Sequence, residues 1–219
     1  MKRIGIISDT HGTFDDTLRE FLKDVDEIWH AGDIGSIELA DRIAAFKPLR
    51  AVSGNIDGGM TRRVYPAFQA FECERVQVLM THIGGYPRHY DPRAVQKIQS
   101  VHPKLFIAGH SHILKVIYDP VYDLLHVNPG AAGEFGFHKV RTAVRLTIDG
   151  AEMRDREVGE WPATENPAGG ELKPTVRESL FRHKITRNKI LYPKRPEMHS
   201  GRISVIVSEI SETFRQVAS

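Results

Sequence analysis

The chain has 219 residues, 41% of them hydrophobic and 26% charged, with one cysteine and a formal net charge of +2. These values fit one soluble globular domain, or one domain with an appendage, and exclude a disulfide framework, a cysteine-rich metal cluster and a fibrous or disordered chain. No stretch approaches 18 apolar residues, and the apolar run after Met1 is too short for a signal peptide, so no membrane span is expected and a cytoplasmic setting is the default.

Taken in chain order, Arg3 to Ser8 reads as a buried strand that ends in the polar, turn-prone Asp9-Thr10-His11-Gly12. Thr13 is the expected cap of a helix over 14–23, where Phe14, Leu18, Phe21 and Leu22 share a face. Val25 to Trp29 is a second strand, followed by His30-Ala31-Gly32-Asp33. Ser36 is placed to cap a helix over 37–46 that Pro48 stops. Leu49 to Val52 is a third strand, ending at Ser53-Gly54-Asn55-Ile56-Asp57. Strands are expected over 63–71 and 76–81, the latter ending at His82, and a helix over 91–101 closes before Pro103. Leu105 to Ala108 is a strand ending at Gly109-His110-Ser111-His112, and further strands are expected over 113–118, 123–127 and 139–148. Alternation of strand and helix in the first half argues an α/β layer architecture, and a two-layer β sandwich flanked by helices absorbs the later strands.

Residues 159–219 read differently, as a linker followed by a basic extension. Residues 1–160 hold 20 Lys+Arg against 22 Asp+Glu, whereas 161–219 hold 10 against 6. A basic excess attracts polyanions, but no recognition motif accompanies it, so nucleic-acid binding stays open. In this extension 175–191 has the character of a basic helix and Arg202 to Ile210 is the one strong strand candidate, with self-association as one use for it.

Chemistry concentrates at the strand ends. Asp9, His11, Asp33, Asn55, His82, His110 and His112 follow five different strands, and in α/β sheets ligands gather beyond the carboxyl ends of the strands. Any one of these residues alone is an ordinary turn former or loop histidine. Together they supply carboxylate, amide oxygen and imidazole donors, a mixture suited to Mn, Fe, Co, Ni or Zn. The set exceeds what one metal needs, and two metals sharing a carboxylate would use it fully for displacement at phosphorus.

Asp9-Thr10-His11, Gly32-Asp33, Gly54-Asn55-Ile56-Asp57, Thr81-His82-Ile83-Gly84-Gly85 and Gly109-His110-Ser111-His112, with Asn128-Pro129-Gly130 in support, resemble the calcineurin-like metallophosphoesterase superfamily. More closely the sequence is similar to its small bacterial and archaeal phosphodiesterase branch, whose fold is shared with the retromer subunit Vps29. The resemblance covers residues 1–158 and implies a four-layer α/β/β/α domain there. It further implies two divalent metals, manganese first among the candidates. Asp9, His11 and His112 would hold the first, Asn55, His82 and His110 the second, and Asp33 would bridge them. A metal-bridging hydroxide would then hydrolyse a small phosphodiester, with Asp33, Asn55 and His82 as the central catalytic set. Relatives are often dimers or tetramers, so a homo-oligomer is expected.

Other residues carry weaker expectations. Asp57 would orient the Asn55 loop through hydrogen bonds. Arg62 and Arg88, with Arg63 and Arg93 behind them, are placed to bind a substrate phosphate, and Tyr86 to stack on a ring. Many relatives carry a histidine directly after the motif asparagine, where this chain has Ile56, so the proton donor to the leaving group is open. His30, His89, His126 and His138 qualify by residue type. Two alternatives to a diesterase remain: a phosphomonoesterase or nucleotidase, and a non-catalytic scaffold on the same fold.

Overall fold

The architecture comes from a computed structural model that describes residues 1–163 apart from 137. In chain order the elements are β1 (Lys2–Ile7), α1 (Asp16–Leu22), β2 (Glu27–His30), α2 (Ile37–Phe46), β3 (Leu49–Ala51), α3 (Gly59–Val64), β4 (Phe68–Cys73) and β5 (Val76–Thr81). They continue with β6 (Gly85–Tyr86), β7 (His89–Tyr90), α4 (Pro92–Val101), β8 (Leu105–Ile107), β9 (Leu114–Asp119), β10 (Leu124–Pro129), β11 (Val140–Asp149) and β12 (Glu152–Pro162). One sheet has the order β12-β11-β1-β2-β3 and the other β4-β5-β8-β10-β9, while β6 and β7 form a small hairpin. β1, β2 and β3 run parallel to one another, as do β5, β8 and β10.

The two sheets face each other across a core that joins Ile4, Ile6, Trp29, Val144 and Leu146 of the first to Val78, Met80, Leu105, Ile107 and Val127 of the second. Strand alternation sends the intervening residues outward. Ile7, Ile28 and Ala51 therefore meet Leu18 and Leu22 of α1 and Leu39, Ala40 and Ile43 of α2. On the opposite side Leu79, Phe106 and Leu124 meet Ala94 and Ile98 of α4. The layers are thus α/β/β/α, as the resemblance implies.

Local chemistry accounts for most boundaries. Ser36 Oγ accepts from Leu39 N at 3.2 Å and starts α2 as expected. α1 begins later than expected, because Asp15 rather than Thr13 caps it, accepting from Leu18 N at 3.0 Å. The single strand expected over 63–71 is instead the last residues of α3, a break at Pro66, and β4. β12 shows no alternating apolar pattern because it is an edge strand with most residues exposed, and it runs past the expected boundary at 158. Trp161 on this strand packs its ring edge-on to Phe21, with centroids 5.4 Å apart. The helix and strand expected at 175–191 and 202–210 lie outside the described residues.

Candidate metal centre

The loops after β1, β2, β3, β5 and β8 carry the candidate residues, and all five open at one end of the sandwich. Backbone bonds lace them together: Asp9 N to Gly32 O at 2.9 Å, His11 N to Asp33 O at 3.1 Å and Gly109 N to His82 O at 2.9 Å. Asp9, His11, Asp33, His110 and His112 all have positive φ, between 46° and 69°. Such backbone costs on the order of 1–3 kcal/mol per residue and persists where surrounding structure enforces it, which is typical of functional sites. Five of the seven residues that sequence spacing singles out carry such backbone.

Two clusters result. In each the potential donor atoms lie within 4.8 Å of one another: Asp9, His11 and His112 in the first, Asp33, His82 and His110 in the second. Asn55 joins the second, its Oδ1 lying 3.0 Å from His82 Nε2. The two clusters are adjacent, since His82 Nε2 is 3.2 Å from Asp33 Oδ2 and 3.9 Å from Asp9 Oδ1.

Hydrogen bonds behind the clusters fix which atoms face inward. Asp9 Oδ2 accepts from His110 N at 3.1 Å, and Asp33 Oδ1 accepts from Ile56 N at 3.0 Å. Each carboxylate is left with one oxygen toward the histidines. His82 Nδ1 donates to Ala31 O at 2.8 Å, so the lone pair of its neutral ring sits on Nε2. His138 Nε2 donates to Gly133 O at 2.9 Å, leaving its Nδ1 to accept from His112 Nδ1 at 3.1 Å. His112 thereby presents Nε2 inward, 3.1 Å from Asp9 Oδ1 and 3.4 Å from His11 Nε2.

This arrangement fits divalent cations. Asp9 Oδ1 is buried with no hydrogen-bond partner among the described residues, while two imidazole Nε2 atoms point toward the same space. A buried unpaired carboxylate oxygen is costly. Lone pairs converging from carboxylate, amide and imidazole repel one another unless a cation lies between them. Burial opposes ionisation of Asp9 and Asp33, but with no cation bound and the facing rings protonated, His112 and His82 beside Asp9, and His82 and the Ile56 N–H beside Asp33, outweigh it and hold both below the usual carboxylate range. Burial lowers His11 despite those two carboxylates. His82 is raised because Asp33 and Asp9 overcome its burial.

Around the clusters the residues divide by what they touch. Asp57 is buried and accepts from Gly54 N at 2.8 Å, Gly35 N at 2.9 Å and Ile34 N at 3.2 Å, tying the loops after β2 and β3 to each other. Arg62 donates to Asn55 O at 2.8 Å and supports that loop from outside, while Arg88 stands exposed at the tip of the β6–β7 hairpin. Tyr86, on the same hairpin, is 41% exposed. His30 is buried, bonded through Nε2 to Thr10 Oγ1 and through Nδ1 to Gly32 N, and burial pushes it down to about 4. It is a core strut for the Asp9 and Asp33 loops. His126 is also fully buried and likewise lowered to about 4, so neither of these two histidines is an imidazolium able to act as general acid at neutral pH. Sequence reading missed the job of Asn128, whose Nδ2 donates to Gly109 O at 2.8 Å and Ser111 Oγ at 3.0 Å and so pins the His110–His112 loop. It missed the His138–His112 contact as well, since nothing in spacing reveals a partner 26 residues away.

Comparison with known proteins agrees with this geometry. Residues 1–151 match the calcineurin-like phosphoesterase superfamily domain. A probable metallophosphoesterase of Methanothermobacter thermautotrophicus is 28% identical over 133 residues, which are 58% of this chain and 76% of that protein. Zinc-complexed Vps29 from Entamoeba histolytica superposes with a TM-score of 0.57 at 14% identity, over 74% of this chain and 99% of its own. A structure described as a novel archaeal phosphodiesterase gives a TM-score of 0.57 at 23% identity, over 71% and 99%. At those identities the two structures share the fold with this chain.

Proposed function

The chain belongs to the calcineurin-like phosphoesterase superfamily, and we propose that it is a dinuclear-metal-dependent phosphodiesterase acting on a small phosphodiester. The observation that carries this reading is the buried, unpartnered Asp9 Oδ1 facing two imidazole nitrogens, beside a second cluster of complementary make-up. Asp9, His11 and His112 would hold one cation and Asn55, His82 and His110 the other, with the Asp33 carboxylate, which clusters with His82 and His110, available to both. Bound there, a pair of divalent ions supplies an activated water and the positive charge that a phosphoryl transition state requires. The protein's own work is positioning: Asp57 and Arg62 hold the Asn55 loop, and His138 and Asn128 hold the His110–His112 loop. Manganese is the proposed metal, because imidazole mixed with hard oxygen donors suits it; zinc, bound by a Vps29 of this fold, is the main competitor.

A diester is favoured over a monoester by Ile56. Its apolar side chain is 50% exposed where the wider superfamily has a histidine, so nothing there protonates a poor leaving group. A complete donor set argues against a scaffold. We take the catalytic domain to end with β12, and the residues beyond it to form a separate extension. Among the described residues no helix is long and apolar enough to cross a membrane, and we propose a cytoplasmic enzyme. Self-association is proposed through β9, an edge strand with exposed Ile113 and Ile117 at its end and on its length.

The test is a comparison of kcat/KM for an aryl phosphodiester and an aryl phosphomonoester with Mn²⁺. The diester is expected to be the better substrate by about tenfold or more, the size that one missing transition-state contact gives. A reversed preference would assign the chain to the monoesterases.

A further inference from the structure

Among the described residues Arg141 is the only buried lysine or arginine, with 3% of its surface exposed. It stands near the start of β11 and belongs to neither donor cluster. Its Nε donates to Ala132 O at 2.8 Å. Its Nη1 donates to Asp15 Oδ2 at 2.6 Å and lies 3.6 Å from Glu134 Oε1. Its Nη2 is buried with no hydrogen-bond partner among the described residues. A guanidinium taken out of water and a donor left unpaired both cost stability, and an apolar side chain of similar size would fill the space without either cost. What the guanidinium does instead is tie two segments together: Asp15 caps α1, while Ala132 and Glu134 belong to the β10–β11 loop. Burial opposes ionisation of Asp15, but the bonds from Arg141 and from Leu18 N outweigh it and hold its carboxyl below the usual range.

The tied loop runs along the first cluster. Ala132 N donates to Ser8 O at 2.9 Å and Gly133 N to Asp9 O at 3.0 Å, so these two residues lie flush on the chain that leaves β1. The approach is close: a Cβ on Gly133 would fall 2.2 Å from Thr10 O. Asp9 and His11 have positive φ on that stretch, a conformation that surrounding structure must enforce. Gly133 O also accepts from His138 Nε2 at 2.9 Å, and His138 Nδ1 meets His112 Nδ1 at 3.1 Å. One path from Arg141 therefore reaches Asp9 through Ala132 and Gly133, and another reaches His112 through Gly133 and His138. The second cluster is supported elsewhere, by Asp57 and Arg62 on the Asn55 loop and by Ala31 O on His82.

We propose that Arg141 is a positioning residue for the first metal site, setting the affinity of Asp9, His11 and His112 for a cation separately from that of the second site. It touches none of the three donors. Its work is to hold Ala132 and Gly133 against the end of β1, with Asp15 and Glu134 as counter-charges. The role rests on the two-metal reading of the centre.

Calorimetric titration of Mn²⁺ into the chelator-stripped full chain tests it, with urea denaturation of the same samples. Asn55→Ala removes a donor of the second cluster and so isolates the first site. Arg141→Met is expected to weaken the first site by about tenfold or more and to leave the second within about twofold. Arg141→Lys keeps the charge without the fork and is expected to fall between. Arg141→Met combined with His138→Ala is expected to lose less than the product of the single losses, because part of the effect runs through His138. Asp15→Asn retains a capping oxygen for Leu18 N while removing the counter-charge. It is expected to weaken the first site severalfold, and it keeps the test sound if Arg141→Met fails to fold. Two unchanged sites in these variants, or equal weakening of both sites with a lowered urea midpoint, overturns the positioning role and leaves the two-metal reading intact. A folded native chain that takes up no divalent ion removes the two-metal reading and the role with it.

Discussion

Several inward-facing donors of the centre are oriented by residues outside the donor set. His138 fixes the tautomer of His112, and Asp57 collects three backbone N–H groups from two loops. Loss of such supporting partners typically costs 10–100-fold in metal affinity. His138→Ala is therefore expected to weaken the site containing His112 by about that factor with little change in unfolding free energy, read by metal titration and urea denaturation together. Asp57→Ala removes hydrogen bonds to a charged group, each worth ~1.5–3 kcal/mol, and is expected to weaken both metal binding and folding. All seven candidate donors were legible in the sequence because each follows a strand and each is a metal-type residue. Their supports were not. Asn128 looks like a turn residue, and His138 like any other loop histidine, until the chain folds.

At the scale of elements, strands with apolar alternation were read close to their observed ends, β5 at 76–81 among them. β12 and the β6–β7 hairpin escaped because an exposed edge strand and two-residue strands bury too little to impose a pattern. The same difference in burial sets the cost of mutation. Trp29 is fully buried between the sheets and meets Phe71 edge-on at 4.9 Å, whereas Trp161 lies at the edge of the first sheet. Trp29→Ala is expected to cost about 3–5 kcal/mol and Trp161→Ala about 1–2 kcal/mol in chemical denaturation. The loop after β3 has its own constraint. A Cβ on Gly54 would fall 2.0 Å from Asp33 Oδ1 and 2.3 Å from Asp33 N. Gly54→Ala is expected to displace Asp33 and abolish tight metal binding while the far-ultraviolet circular dichroism stays that of the folded chain.

Over the whole molecule, buried neutral histidines set a limit in acid. His30 and His126 fall from an ordinary 6.5 to about 4 on folding. Their folded-state values are depressed, so the unfolded chain takes up protons that the native chain refuses as the pH falls below 6.5. Their contribution is fully present above 6.5, declines between 6.5 and 4, and is gone below 4, at about 3 kcal/mol for each. His126→Leu removes one of the two groups. The fall in unfolding free energy between pH 7 and pH 4 is expected to be smaller in that variant by about 3 kcal/mol; an identical fall would mean that His126 is not buried as a neutral ring. The four-layer plan brings both sheets' strand ends to one edge, which is why five short motifs far apart in sequence make one centre.

The most direct measurement is the metal content of the purified full chain by elemental mass spectrometry, read alongside aryl phosphodiester hydrolysis, for the native sequence and for Asp33→Ala. A dinuclear centre predicts about two divalent ions per chain and turnover that falls by several orders of magnitude when the Asp33 carboxylate is removed. A folded native chain that takes up no divalent ion and hydrolyses no diester would contradict it.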